Sequence, residues 1–161
     1  MHYLIDGHNL IGKLDHISLD EPDDEVKLIL LLRSWTAARR KRRVTVIFDH
    51  GLPGGVEKGL SSGTVKVIFA STGSSADALL MKRIRQVRNP EEYTLVTSDL
   101  KIIRAAEARR MPVQRSEQFA QELYSDRGSG NETRSIGENE DPDVTADEVD
   151  MWLNLFDSTA E

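Results

Sequence analysis

Four aspartates follow apolar runs of the chain or open the segment that comes after one, which are common positions for residues that bind ligands. They are Asp6 in YLIDGHNLIG, Asp49 in VTVIFD, Asp77 in STGSSADALL and Asp99 in YTLVTSD. Carboxylates gathered within a few ångströms repel one another and raise each other's pKa unless a cation neutralises them. Oxygen ligands without cysteine favour Mg²⁺ or Mn²⁺. The pattern therefore predicts a divalent metal site able to hydrolyse a phosphate ester.

Polar residues beside these acids are candidates for orienting a substrate. Asn9 follows Asp6 by three residues and Ser98 precedes Asp99. An amide or a hydroxyl can donate and accept hydrogen bonds without adding charge, so we expect Asn9 and Ser98 to contact the substrate. His8 and His50 flank the same positions, although single histidines near turns are more often solvated.

Each aspartate also has an ordinary structural interpretation. A single aspartate at a strand end is more often a turn former or a helix cap than a metal ligand, and Asp77 and Asp99 could both be caps. Asp49 is the weakest member of the set, because the HGLPGG that follows it is a natural turn. The four aspartates taken together favour the metal site over four separate caps.

The segments between these residues predict how they are positioned. Apolar runs without strict alternation, which indicate strands buried on both faces, occupy 3–6, 44–49, 64–70 and 93–99, with a short candidate at 112–116. Helical spacing occurs over 24–43, 75–88, 100–110 and 116–124. This alternation predicts an α/β fold with a mostly parallel central sheet flanked by helices. Because ligands bind outside the carboxyl ends of parallel strands, we expect all four aspartates at one edge of the sheet.

The composition excludes cysteine-dependent sites and argues against a membrane or secreted protein. The chain contains no cysteine, which removes disulfides, thiolate nucleophiles and cysteine-ligated metals. No apolar run approaches the ~18 residues of a membrane helix, and no secretion signal precedes YLIDG, so we expect a cytoplasmic protein. The basic runs at 39–43 and 82–88 are candidates for phosphate contacts, although a solvated helix end is the better interpretation of either run alone.

Charge and composition divide the chain into three parts. Residues 1–124 hold 19 of the 21 lysines and arginines and 16 of the 27 acids, a net charge of +3, whereas 125–161 carry −9. We expect one domain over 1–124, which could meet a polyanion, an acidic flexible linker over 125–144, and a short amphipathic helix over 145–157. That helix could dock on its own domain or on a partner. Within the domain, the glycine-rich 50–63 predicts a mobile loop near the site.

Several of these stretches, taken in order, resemble the YacP-like branch of the NYN domain family. The members of this family are PIN-like metal-dependent ribonucleases. The stretches are YLIDGHNLIG, VTVIFDHG, SSADALLMKRI, YTLVTSDLKIIRAAEARRMPV and SEQFAQEL. The resemblance implies a PIN-like three-layer fold, a Mg²⁺ or Mn²⁺ site and endonucleolytic cutting of RNA, with mRNA as candidate substrate and the ribosome as candidate partner. By position, Asp6, Asp77 and Asp99 match the acidic cluster of the family, and Asn9 matches its asparagine.

One position departs from the family pattern. Relatives commonly place a glutamate a few residues after the Ala-Asp pair, where this chain has Leu-Leu-Met-Lys at 79–82. The number of metal ions, one or two, is therefore open, and Asp49 could compensate. The alternative function is a catalytically weakened RNA- or ribosome-binding module of the same fold. A small-molecule phosphohydrolase is disfavoured, because no Asp-x-Asp follows the first strand.

Overall fold

The computed structural model describes residues 1–49, 55–56, 59–71 and 73–131. The strands of this part are β1 His2–Asp6, β2 Arg43–Phe48, β3 Gly55–Val56, β4 Val65–Phe69, β5 Tyr93–Val96 and β6 Val113–Gln114. The helices are α1 Gly7–Ile11, α2 Asp24–Ala37, α3 Ala76–Gln86, α4 Leu100–Ala108 and α5 Ser116–Asn131, with a 3₁₀ turn at Pro90–Glu92. Among these residues, no helix is both long and apolar enough to span a bilayer.

The strands form one sheet in the order β3-β4-β2-β1-β5-β6. All neighbours are parallel except β3, which pairs antiparallel with β4. The predicted α/β fold with a mostly parallel sheet is therefore confirmed. The chain builds outward from β1 through β2 to β4, and then returns to place β5 on the other side of β1. This reversal is the kind of point at which open parallel sheets bind ligands, outside the carboxyl ends of the strands.

Helices cover both faces of the sheet. On one face Leu4, Ile47 and Ile68 pack with residues of α3 and α4, including Leu80 and Ile102, in one buried cluster. On the other face Tyr3 contacts Trp35 of α2 and Phe119 of α5, with ring centroids 4.8 and 5.7 Å apart. The result is the expected three-layer arrangement, with helices packed on both faces of the sheet.

The turn from β1 into α1 depends on a close approach of the backbone to an aromatic ring. A Cβ atom added at Gly7 would lie 2.3 Å from the ring of Phe48, closer than non-bonded carbon atoms can approach. Gly7 is buried and begins α1 directly after Asp6. The glycine that follows Asp6 is therefore required by packing against Phe48.

Several element boundaries differ from the sequence-based expectation. Helix α1 was not predicted, and α2 ends at Ala37 rather than at residue 43. Strand β3 lies within the segment predicted as a loop. Helix α5 continues to Asn131, seven residues into the segment predicted as a linker. The rest of that linker and the predicted helix at 145–157 lie outside the described residues.

The early end of α2 has a tertiary cause. The guanidinium of Arg42 lies 3.9 Å from the ring centroid of Trp35 and donates to the Trp35 carbonyl at 3.0 Å. It also pairs with Asp126 of α5 at 2.8 Å. Lys41 adopts a left-handed backbone, with φ of 73°, which reverses the chain. Part of the basic run at 39–43 thus holds α2 and α5 together and does not continue the helix.

Candidate active site

Asp6 is the buried centre of the site. It ends β1 and its residue exposure is only 6%. Its carboxylate accepts hydrogen bonds from the Thr97 hydroxyl at 3.4 Å and from the backbone N–H of Asn9. Burial, together with the nearby charges of Asp77 and Asp49, raises the pKa of Asp6 from 3.8 to about 6. The ionised carboxylate is therefore under-compensated by the protein, and the site favours either a proton or a cation.

The other predicted aspartates lie within electrostatic reach of this centre. Asp77 is in the first turn of α3. Partial burial and then the charges of Asp99 and Asp49 raise its pKa, and the charge of Lys101 opposes that rise. Asp77 thus interacts with all three other aspartates, since it also acts on Asp6. The fold brings the four to one edge of the sheet, as expected from their positions after the strands.

Two of these carboxylates also hold the starts of helices. Asp99 caps α4, and its Oδ1 accepts from the N–H of Lys101 at 2.9 Å. Asp49 reaches α3 from a separate segment, and its Oδ1 accepts from the N–H of Ala76 at 2.6 Å. Asp77 is not a cap, because Ser75 fills that role in α3. A carboxylate has two oxygens, so one such hydrogen bond does not prevent it from binding a cation.

Two properties of the site suit a divalent cation: its donors are oxygen atoms, and the buried charge of Asp6 is poorly neutralised by the protein. Hard oxygen donors beside an under-compensated buried carboxylate suit Mg²⁺ or Mn²⁺. Over the residues described, no three acidic or histidine side chains converge closely enough to hold one ion together. Mg²⁺ commonly binds one or two carboxylates and keeps several waters, which is the kind of site these residues fit. A shared ligand set of Asp6, Asp49, Asp77 and Asp99 stays a prediction.

Helix α3 offers no further carboxylate at residues 79–82, after the Ala-Asp pair. Leu80 is fully buried in the core, and Leu79 and Met81 pack partly against it. Lys82 is exposed. These positions serve packing and solubility, so additional ligands would have to come from other elements or from water.

Asn9 and Ser98 form hydrogen bonds with each other and with the first residues of α5. The side-chain oxygen of Asn9 accepts from the N–H of Ser98 at 2.9 Å and from the hydroxyl of Ser116 at 2.7 Å. The hydroxyl of Ser98 accepts from the N–H of Ser116 at 3.1 Å and donates to Glu117 at 2.5 Å. These bonds join α1, the β5–α4 turn and α5 around Asp6. Contact of Asn9 or Ser98 with a substrate stays a prediction.

Ser116 and Glu117 also belong to this network, although neither was predicted from the sequence. The hydrogen bond from Ser98, with a smaller effect of Lys13, lowers the pKa of Glu117 to about 2, and Lys13 lies 3.2 Å from its Oε1. A signal for both residues was present, because they follow the end of β6 with a single residue between. The carboxyl-end rule, applied to this last strand as to the others, would have found them.

His8 also lies at this edge. Its Nε2 is 2.9 Å from Oε1 of Glu25, and its Nδ1 accepts from the N–H of Asp49 at 3.4 Å. The hydrogen bond with Glu25 raises the pKa of His8, against the effect of burial. Glu25 therefore orients His8 beside Asp49, a pairing that no spacing in the sequence indicates. His50 lies outside the described residues.

Comparison with known proteins gives a consistent result. The model of a family described as the YacP-like NYN domain matches residues 3–150. The crystal structure of Rae1 (YacP) from Bacillus subtilis is 20% identical, with a TM-score of 0.65 over 99% of this chain and 90% of that chain. The structure of a mutant of the same protein is 18% identical, with a TM-score of 0.64 over 81% and 79%. No curated protein gave a significant match. The structural likeness confirms the PIN-like fold.

Proposed function

Because the chain belongs to the YacP-like NYN domain family, we propose that it is a metal-dependent endoribonuclease that hydrolyses phosphodiester bonds in RNA. Membership is consistent with a nuclease-type function. The observation that carries the proposal is the buried carboxylate of Asp6, whose pKa is raised to about 6 at the end of the central strand. Strongly perturbed carboxylates of this kind cluster at functional sites, because a fold selected only for stability gains nothing from them.

The residues of the site divide into two roles. Asp6 and Asp77 are the carboxylates that would hold the cation, and Asp49 and Asp99 support them by accepting hydrogen bonds from the first residues of α3 and α4. The bound ion would supply charge stabilisation at the scissile phosphate and a water of lowered pKa. Lys101, which lies close enough to act on Asp77, is placed to meet a substrate phosphate. The finer parts of the proposal have two sources: mRNA as substrate and a ribosome-linked setting come from the resemblance, and a cytoplasmic location comes from the composition of the chain.

A cutting assay on circular RNA tests this function. Purified protein should linearise the circle with Mn²⁺ or Mg²⁺, which shows an internal cut, and EDTA should abolish the reaction. Asp6→Asn should lower the rate about 100-fold or more. Asp15→Asn makes the same change at an exposed aspartate and should cut like the wild type. Cutting in EDTA, or an Asp6→Asn variant as fast as wild type, would refute the proposal.

A second candidate function is a module that binds RNA without cutting it. Two observations favour it: among the described residues no three acids converge around one point, and α3 carries no carboxylate at 79–82. This function predicts no cutting of the circular RNA under any metal condition, and equal retention of that RNA by the wild type and Asp6→Asn in a gel-shift measurement.

A further inference from the structure

A cleft of about 350 Å³ opens at the edge of the sheet opposite the aspartates. The last turn of α3, the turn that follows and the start of β5 line it, and the residues that matter here are Arg83, Arg88, Glu92 and Tyr93. Tyr93 begins β5, and the loop that carries Asp99 follows the end of the same four-residue strand. At about 3.3 Å per residue, the cleft lies roughly 13 Å along the sheet from the candidate active site.

Positive charge dominates this edge of the molecule. Arg83 and Arg88 line the cleft against the single acid Glu92, and Arg43 and Lys66 lie in strands of the same sheet. Within the described part of the chain, none of these four cationic side chains forms an ion pair. Elsewhere Arg42 and Lys13 are paired with acids. The cations at this edge are thus available to an anionic ligand.

Besides burial, several of these charges lower the pKa of His2. Burial lowers the pKa of His2, and the positive charges of Arg43, Arg83, the amino terminus and Lys66 lower it further. A histidine that responds to four separate cations lies where their fields overlap. The cations contributed by β2, β4 and α3 therefore act on one place beside the cleft, rather than on separate patches of surface.

An aromatic surface accompanies the charge. His2 and Tyr93 are opposite one another on neighbouring strands, and their rings stack with centroids 4.8 Å apart and an interplanar angle of 23°. The Nε2 of His2 is held at 2.7 Å from the Thr45 hydroxyl. Flat rings beside unpaired cations are the combination that proteins use to bind single-stranded nucleic acid, through base stacking and phosphate contacts.

The end of α3 is also adapted to an anion. The last carbonyls of a helix carry partial negative charge and would repel a phosphate. Here Arg109 of the following segment donates to the carbonyls of Ile84 and Arg85, each at 2.5 Å. This arginine neutralises the helix end behind Arg83, so the cleft keeps its positive character.

We infer that this cleft binds the backbone of single-stranded RNA outside the segment that is cut. The inference rests on the proposed function for the choice of RNA as the polyanion. Arg83 and Arg88 contact phosphates, and the stacked rings of His2 and Tyr93 lie beside them. A strand held here would be anchored at one edge of the sheet while the scissile bond lies at the other.

Binding of a labelled single-stranded RNA of about 12 nucleotides tests the inference, measured by fluorescence anisotropy on the full chain in EDTA over a range of KCl. For single strands the logarithmic salt slope changes by about 0.7 per phosphate contact. The double variant Arg83→Gln, Arg88→Gln should therefore lose about 1.4 from the slope and about 25-fold in affinity at 0.1 M salt. The matched control, Arg104→Gln with Arg110→Gln, removes two exposed arginines outside the cleft and outside both basic runs and should bind like the wild type.

The outcomes separate this inference from the proposed function. An unchanged affinity and slope in the double variant overturns the inference, whether or not the wild type cuts RNA. Displacement of the RNA by inorganic phosphate or AMP at comparable concentrations also overturns it, since it would indicate a site for a single nucleotide. Cleft-dependent binding by a protein that cuts no RNA would support the inference and refute the proposed function. In a cutting protein, the double variant should raise KM and leave kcat unchanged, and thermal unfolding should show that it remains folded.

Discussion

Replacing Asp6 with asparagine should stabilise the protein at neutral pH while it removes the proposed activity. The carboxylate is buried, and its pKa rises from 3.8 to about 6 on folding. At 1.36 kcal/mol per unit of pKa, this rise lowers the free energy of unfolding by about 3 kcal/mol when Asp6 is ionised. That amount is a large part of the ~5–15 kcal/mol by which ordinary domains are stable. The asparagine side chain has nearly the same shape and carries no charge.

The effect should depend on pH with a definite sign. Below about pH 3.8 Asp6 is protonated in both the folded and the unfolded state, so its ionisation costs nothing. As the pH rises from there to about 6, the unfolded state releases the proton first and the wild type loses stability. Above this window the full cost is present. The advantage of Asp6→Asn should therefore be small near pH 4 and approach about 3 kcal/mol at about pH 7.5.

Urea denaturation in EDTA, followed by circular dichroism at both pH values, measures this advantage. Asp15→Asn at an exposed position controls for the general loss of one negative charge. Mg²⁺ should raise the unfolding midpoint of the wild type and have little effect on Asp6→Asn, because a ligand stabilises only the state that binds it. The reasoning fails if Asp6→Asn is no more stable than the wild type at neutral pH, or if its advantage is equal at both pH values.

Three further substitutions test packing and hydrogen bonds, two of them beside the site and one between α2 and α5, by the same denaturation assay. Gly7→Ala should cost about 1–3 kcal/mol, because its new methyl group would meet an aromatic ring, whereas Gly63→Ala, with no atom within 4 Å, should cost far less. Arg42→Met should cost about 2 kcal/mol through the loss of its ion pairs to α5, and Arg40→Met at an exposed position should be nearly neutral. Asn9→Ala should cost about 1–3 kcal/mol because it leaves two donors without their acceptor; a cost near zero would contradict the observed network.

The sheet and the placement of the aspartates could be predicted because both depend on local patterns. Buried parallel strands are continuous apolar runs, and their ends are visible as the first polar residue. The carboxyl-end rule then places Asp6, Asp49 and Asp99 at one edge without further knowledge of packing. The structure confirms that these aspartates lie at one edge of the sheet.

Features set by distant contacts could not be predicted in this way. The basic run at 39–43 has good helical propensity, yet the chain leaves the helix because Arg42 stacks on Trp35 and pairs with Asp126, 84 residues away. Asn9 likewise could be recognised as a donor and acceptor, but its partner Ser116 lies 107 residues further along the chain. Neither distance leaves a periodic trace in the sequence.

The hydrogen bond from Ala76 to Asp49 changes how a mutation at Asp49 should be understood. This carboxylate fixes the beginning of the helix on which Asp77 lies, at 2.6 Å. Removing it would let that helix end shift, and Asp77 would move with it. A lost activity in Asp49→Ala would then look like the loss of a metal ligand even if Asp49 never touched the ion. Asp49→Asn, which keeps an oxygen for the Ala76 amide, separates the two effects: preserved activity would assign Asp49 to scaffolding alone.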